Sequence, residues 1–165
     1  MIAIKPITRR NITLLKAVRL LALQDAPYAF SSTYAHESQL TDSEWLARVE
    51  RMNDERGVGL LAMDAATPCG IAACFLDNHD HARAQLVSMW TAPLHRKQGA
   101  GRQLINDIIE WGRTRHARTL LLMVTSNNEG ALGFYERLGF AKTGRTEPYP
   151  NDPAVIEYEM FRAIP

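Results

Sequence analysis

The stretch Thr91-Ala92-Pro93-Leu94-His95-Arg96-Lys97-Gln98-Gly99-Ala100-Gly101-Arg102 decides the reading of this chain. An apolar run from Ala84 to Thr91 precedes the turn. A helical pattern from Ala100 to about Arg113 follows it, with Leu104, Ile105, Ile108 and Trp111 on one face. The stretch therefore joins a strand to an amphipathic helix. Gly99 and Gly101 allow a ligand close to the backbone, and the N–H groups after them open a helix without partners of their own. Those donors and the helix dipole form an anion site, to which Arg96, Lys97 and Arg102 add positive charge. A pyrophosphate suits such a turn. The spacing is not that of a P-loop, nor of a dinucleotide fingerprint with its third glycine and following acid. Taken alone, a Gly-x-Gly turn is also an ordinary strand–helix connection with solvated charges.

Working outward, Ile2 to Pro6 reads as a first strand. Ile12, Leu14, Leu15, Val18 and Leu21 recur at helical spacing up to Gln24, where Asp25-Ala26-Pro27 stops the helix. Tyr28 to Gln39 is irregular and rich in aromatic and hydroxyl side chains. Thr41-Asp42-Ser43-Glu44 carries a capping-box signature for a helix through about Arg51. Val58 to Met63 and Gly70 to Leu76 read as antiparallel strands. Beyond the decisive turn, Thr119 to Thr125 is apolar on both faces, the mark of a covered central strand. Asn128 to Leu138 is a short helix closed by Gly139. Phe140 to Thr143 and Val155 to Phe161 form a last pair of strands. The fold class is α/β, and residues 1–165 are expected to form one domain, since domains usually hold about 100–150 residues.

Composition excludes several function classes. The chain has 165 residues, 46% of them hydrophobic, and 19 basic against 18 acidic side chains, for a net charge of +1. A general nucleic-acid binder would carry a clear basic excess, so no nucleic-acid partner is expected. No apolar run approaches the roughly 20 residues that span a bilayer, and the start lacks a signal peptide's apolar run, so no membrane partner is expected either. Cys69 and Cys74 form no disulfide framework and read as buried free thiols in a reducing compartment, which points to the cytoplasm. No Cys/His spacing resembles a metal site, and His79-Asp80-His81 reads as a solvated turn.

Arg96-x-x-Gly99-x-Gly101 after a strand resembles the acetyl-CoA signature of the GNAT superfamily of N-acetyltransferases. Asn128-x-x-Ala131-x-x-x-Tyr135-x-x-x-Gly139-Phe140 resembles that superfamily's downstream helix motif, at the expected separation. The resemblance implies a GNAT fold: a central mixed, mostly antiparallel twisted sheet flanked by helices, with splayed central strands. It implies acetyl-CoA as co-substrate, no metal, and direct transfer of an acetyl group to a primary amine, here expected to belong to a small molecule. The state expected is a monomer or homodimer. Two other readings stay open: acetylation of a protein or peptide, at its N-terminus or a lysine, and a non-catalytic acyl-CoA-binding regulatory module.

The matched positions imply roles. Met89, Trp90 and Thr91 would offer backbone groups to the pantetheine arm, as an added strand does. The backbone N–H groups of Lys97, Gln98, Gly99, Ala100, Gly101 and Arg102 would hold the pyrophosphate beside Arg96. Asn128 would place its amide on the cofactor arm or cap the helix that follows. Tyr135 matches the family's general acid, and a phenol stays protonated at neutral pH because its pKa is about 10. The general base departs from the pattern. Many relatives carry a glutamate where this chain has Gln85, and others one where it has Met123; neither side chain accepts a proton. Water and backbone carbonyls, His36 or Glu37, or an amine of low pKa would then have to serve. For the acceptor pocket the expectation is Tyr28, Phe30, Tyr34, His36 and Glu37, with Asp25, Ser31 and the Glu147-Pro148-Tyr149 loop nearby.

Overall fold

The computed structural model describes residues 1–165. Seven strands form one mixed sheet: β1 (Ile2–Pro6), β2 (Gly57–Asp64), β3 (Thr67–Leu76), β4 (Arg83–Thr91), β5 (Thr119–Thr125), β6 (Ala141–Tyr149) and β7 (Asp152–Ala163). Five helices accompany it: α1 (Ile12–Asp25), the single turn α2 (Tyr34–Glu37), α3 (Asp42–Arg51), α4 (Ala100–Thr114) and α5 (Glu129–Arg137). The strand order is β1-β2-β3-β4-β5-β7-β6. Every neighbouring pair is antiparallel except β4 and β5. A parallel pair needs a crossover, and α4 supplies it. The helix buries Leu104, Ile105 and Ile108 completely, each worth about 1.5–3 kcal/mol of apolar burial.

Two cores lie on opposite faces. One gathers Leu104, Ile105, Ile108, Leu120, Leu122, Val124 and Met160 under α4. The other gathers Leu15, Val18, Trp45, Val49, Leu61, Ile71 and Trp90 under α1 and α3. The sequence places Trp111 on the core face of α4, but its ring is only partly buried and lies under the Arg115 guanidinium, 4.9 Å away. Ile109 takes the inner position. Thr41 caps α3 in the expected box with Glu44. The last hairpin runs well beyond the apolar residues that announce it, because β6 continues through polar, exposed positions to Tyr149.

Two features of β4 open the sheet. Its ladder to β5 covers only Arg83 to Gln85 against Thr119 to Leu121, so the facing edges are unpaired from Leu86 and Leu122 onward. Its ladder to β3 shifts by one residue between Ala73–Val87 and Ile71–Trp90. The bulge contains Ser88, held at a φ of 59° that non-glycine residues rarely adopt. A bulge increases local twist, and here it turns the outer half of β4 away from β5.

Candidate active site

The wedge between β4 and β5 is a cleft of about 940 Å³. Its walls are Leu86 to Thr91 on one side and Leu122 to Thr125 on the other, with the starts of α4 and α5 at one end. At that end the decisive turn takes its shape. Lys97 and Gly99 both have positive φ, 62° and 90°, and the first hydrogen bond entering α4 runs from Gln103 N–H to the Gly99 carbonyl, at 3.0 Å. No backbone carbonyl accepts from the N–H groups of Lys97 through Arg102. Consecutive free amides at a helix start favour an anion. Gly101 keeps the turn shallow, for a Cβ there would lie 2.9 Å from the Phe134 ring and 3.2 Å from the end of Met89.

Side chains brace this backbone. Arg96 folds back, its Nε donating to the Thr91 carbonyl at 3.0 Å and its Nη2 to Asp25 at 2.6 Å. Trp90 donates its indole N–H to the same Asp25 oxygen at 2.9 Å. Asp25 thus ties the end of α1 to both the strand and the turn, a link that no spacing in the sequence reveals. Gln98 donates to the Leu94 carbonyl at 2.8 Å, and Lys97 and Arg102 stand exposed at the mouth. Asn128 caps α5, its Oδ1 accepting from Ala131 N–H at 3.2 Å, and it also borders the cleft.

Tyr135 lines the cleft from α5 at 7% exposure, edge-on to Phe134 and Phe140 with ring centres 5.3 and 5.6 Å away. Burial alone raises its pKa well above the ordinary phenol value, so it keeps its proton throughout the neutral range. Met89, Trp90 and Thr91 border the cleft as expected; Gln85 and Met123 lie on its two strands. Burial pushes the Cys74 thiol up to about 12 and raises that of Cys69, so neither is a ready nucleophile.

The acceptor expectations fare unevenly. Tyr28 and Ala29, in a 3-10 turn over Pro27–Ala29, reach the cleft. Tyr34 and His36 are exposed on α2 and do not line it. Phe30 is buried beneath the Arg19 guanidinium, 4.4 Å from its ring centre. Glu37 needs correction as a proton acceptor. It is completely buried, accepts two bonds from Arg19 at 2.9 Å and one from Arg48 at 2.6 Å, and its carboxyl is held below the usual range. Burial by itself would raise that pKa, but the hydrogen bonds and charge of Arg19, with Ser32 and Arg48, outweigh it. A carboxylate so paired is a structural brace. Arg19 also reaches the Ser88 hydroxyl at 3.0 Å, tying the brace to the β4 bulge.

The Glu147-Pro148-Tyr149 segment, expected near the acceptor pocket, does lie beside residues 27–31, though as part of β6 and through bonds the sequence could not show. The Tyr149 hydroxyl shares its one proton between the Phe30 and Pro27 carbonyls, 2.6 and 3.0 Å away, Asn151 donates to the Ser31 carbonyl at 3.0 Å, and Tyr28 to Asp152 at 3.2 Å. These contacts join segments more than a hundred residues apart, so only the fold brings them together.

Comparison with known proteins places the molecule. Residues 17–140 match the acetyltransferase (GNAT) family, and the chain belongs to that family. An uncharacterised N-acetyltransferase of Methanocaldococcus jannaschii is 30% identical over 141 residues, covering 83% of this chain and 62% of that protein. The streptothricin acetyltransferase of Streptomyces lavendulae is 32% identical over 84 residues, covering 50% of this chain and 44% of its own. The chain thus spans less than two thirds of either curated relative. A GNAT acetyltransferase of Streptococcus pneumoniae has the same fold, with a TM-score of 0.82 over the whole of both chains at 21% identity.

Proposed function

We propose that this protein is an N-acetyltransferase that moves the acetyl group of acetyl-CoA directly onto a primary amine of a small molecule. The observation that carries the reading is the continuous run of unpaired backbone along one cleft: the free edges of β4 and β5 leading to the free amides of Lys97 to Arg102. A strand edge suits the amide-bearing pantetheine arm, and the helix start suits the pyrophosphate. When bound, acetyl-CoA supplies the thioester whose carbonyl carbon accepts the amine.

The chain's own residues have defined tasks. The N–H groups of Lys97 to Arg102 bind the diphosphate, with Lys97 and Arg102 contributing charge. Met89, Trp90 and Thr91 orient the arm through their main chain, while Asp25 and Arg96 keep Trp90 and the turn in place. Asn128 fixes the start of α5 and with it the position of Tyr135. The Tyr135 hydroxyl holds a proton at neutral pH and delivers it to the departing sulfur.

The bonds that tie the β6–β7 hairpin to residues 27–31 hold the segment carrying Tyr28 and Ala29 fixed at the cleft, and such a fixed side-chain wall suits a small acceptor. The absence of a carboxylate at Met123 weighs the same way. The buried Cys69 and Cys74, which are not paired with each other, suit a reducing compartment such as the cytoplasm. Thiol release from acetyl-CoA, measured across a panel of amines and peptides, tests the reading. Turnover is expected with small primary amines. Tight CoA binding without acetylation of any acceptor would overturn the enzyme reading, and preference for peptides would overturn the small-molecule one.

A further inference from the structure

The sheet supplies a carboxylate that neither β4 nor β5 carries. The register sets Met123 beside Glu159 and Thr125 beside Glu157, and on the far edge of β7 it sets Glu147 beside Glu157. Registered partners share a face, with Cβ atoms about 4.5–5.5 Å apart. Leu120, Leu122, Val124 and Met160 take the face covered by α4. Met123, Thr125, Glu157 and Glu159 therefore take the other face, toward the turn Pro27–Ala29 that packs against β4 and β5.

The acids on this face differ in what they already hold. Glu159 accepts from Thr143 at 3.0 Å and pairs with Arg145 at 3.6 Å. Glu147 is bound by Arg145, and Asp152 by the Tyr28 hydroxyl. Glu157 stands one strand behind the cleft wall, registered with Thr125, half-buried and without such a partner. Burial, reinforced by the charge of Glu147, keeps its carboxyl above the ordinary range. Beside it, Thr125 is 1% exposed, borders the cleft, and its Oγ1 has no hydrogen-bond partner. An unsatisfied buried hydroxyl costs about 1–3 kcal/mol, a cost that a bound N–H group relieves.

We propose that Glu157 is the proton acceptor missing from Gln85 and Met123, and that Glu157 and Thr125 together seat the ammonium of a primary aliphatic amine. This rests on the acetyltransferase reading. The ammonium gives one proton to the Glu157 carboxylate. The freed lone pair forms the C–N bond as the C–S bond breaks, and the electron pair of that bond leaves on sulfur. Sulfur takes the Tyr135 proton, and the second proton lost from nitrogen restores the tyrosine. On the hairpin part of this face Glu147, Asp152, Glu157 and Glu159 outnumber Arg145, so the seat favours a cation and disfavours an acceptor bearing a carboxylate.

The test compares wild type, Glu157→Gln and Thr125→Val with butylamine, 1,4-diaminobutane and 4-aminobutanoate. Glu157→Gln should lower kcat/KM for the first two by about 10²–10³-fold. Its acetyl-CoA affinity and Tm should stay unchanged. Wild-type kcat/KM should fall with decreasing pH on a limb above about pH 4.3, the ordinary glutamate value. That limb should vanish in Glu157→Gln. The groups facing Glu157 are Glu147 and Arg145 from β6, Glu159 and Asp152 from β7, Thr125 from β5 and Tyr28 from the 3-10 turn. Thr125→Val should raise KM about five- to tenfold with kcat nearly constant. Wild-type kinetics and an unchanged acid limb in Glu157→Gln would overturn the proposal, as would preference for 4-aminobutanoate. If the wild type acetylates no amine, the acetyltransferase reading fails and the proton-acceptor role with it. An NMR titration of 1,4-diaminobutane into CoA-loaded protein then decides the seat. Binding about tenfold weaker in Glu157→Gln supports it, and equal binding or none overturns it.

Discussion

The two ends of the cleft are built by different means. At the end formed by the glycine turn the groups facing the cleft are unpaired main-chain amides, set by the left-handed residues Lys97 and Gly99 and by the start of α4. At the other end they are side chains brought from the Pro27–Ala29 turn and β5, backed by the β6–β7 hairpin. A backbone site needs only the right conformations in one short stretch, so one stretch of sequence reveals it. A side-chain site needs several distant segments in register. The first end therefore suits one common co-substrate, whereas the second can be changed residue by residue to suit another amine.

The sharpest way to break that comparison is Gly99→Val. A β-branched side chain at a φ of 90° is strained, and relaxing it moves the amides on either side. Acetyl-CoA affinity should fall roughly 10³-fold, about 4 kcal/mol, with Tm little changed. Calorimetric titration checks it, and unimpaired binding would refute the role given to the turn. Arg19→Ala strikes the other end. Removing one partner of the buried Arg19–Glu37–Arg48 cluster should cost about 3 kcal/mol of stability, read from denaturant unfolding. The same cluster sets a pH dependence. Because Glu37 has a lowered pKa in the folded state, its contribution is fully present above the ordinary carboxylate range. It is lost as the pH falls through the lowered value. Unfolding free energies measured from pH 6 downward should thus fall less steeply in Glu37→Gln than in the wild type.

Tyr135→Phe lies where the two ends meet. It removes the hydroxyl but keeps the ring in the Phe134–Tyr135–Phe140 stack. Turnover should drop about 10²-fold, equivalent to about 2.7 kcal/mol, while acetyl-CoA affinity stays constant. A large loss of affinity instead would show Tyr135 to be part of the binding surface rather than a proton donor.

The strands and helices were legible wherever apolar periodicity and caps agreed. Thr41 with Glu44, Gly139 after α5, and the doubly apolar Thr119 to Thr125 all mark their elements correctly. The tail of β6 beyond Thr143 was not, because Gly144 to Glu147 is largely exposed and mostly polar, and its pairing resumes at Thr146 after a register shift rather than being driven by burial. Glu37 misled for a related reason. A carboxylate in an irregular, polar stretch looks solvated until α1 and α3 bring Arg19 and Arg48 to it.

The sequence by itself determined the glycine turn that opens α4, the helix carrying Tyr135 and the lack of a carboxylate at Gln85 and Met123. Each of these depends on residues close together in the chain, where dihedral preference and spacing act directly. Only the tertiary structure decided that β7 inserts between β5 and β6, and that placement alone brings Glu157 beside Thr125. Strand pairing across thirty-two positions is set by the packing of two sheet faces at once, and no local pattern in either strand encodes the partner.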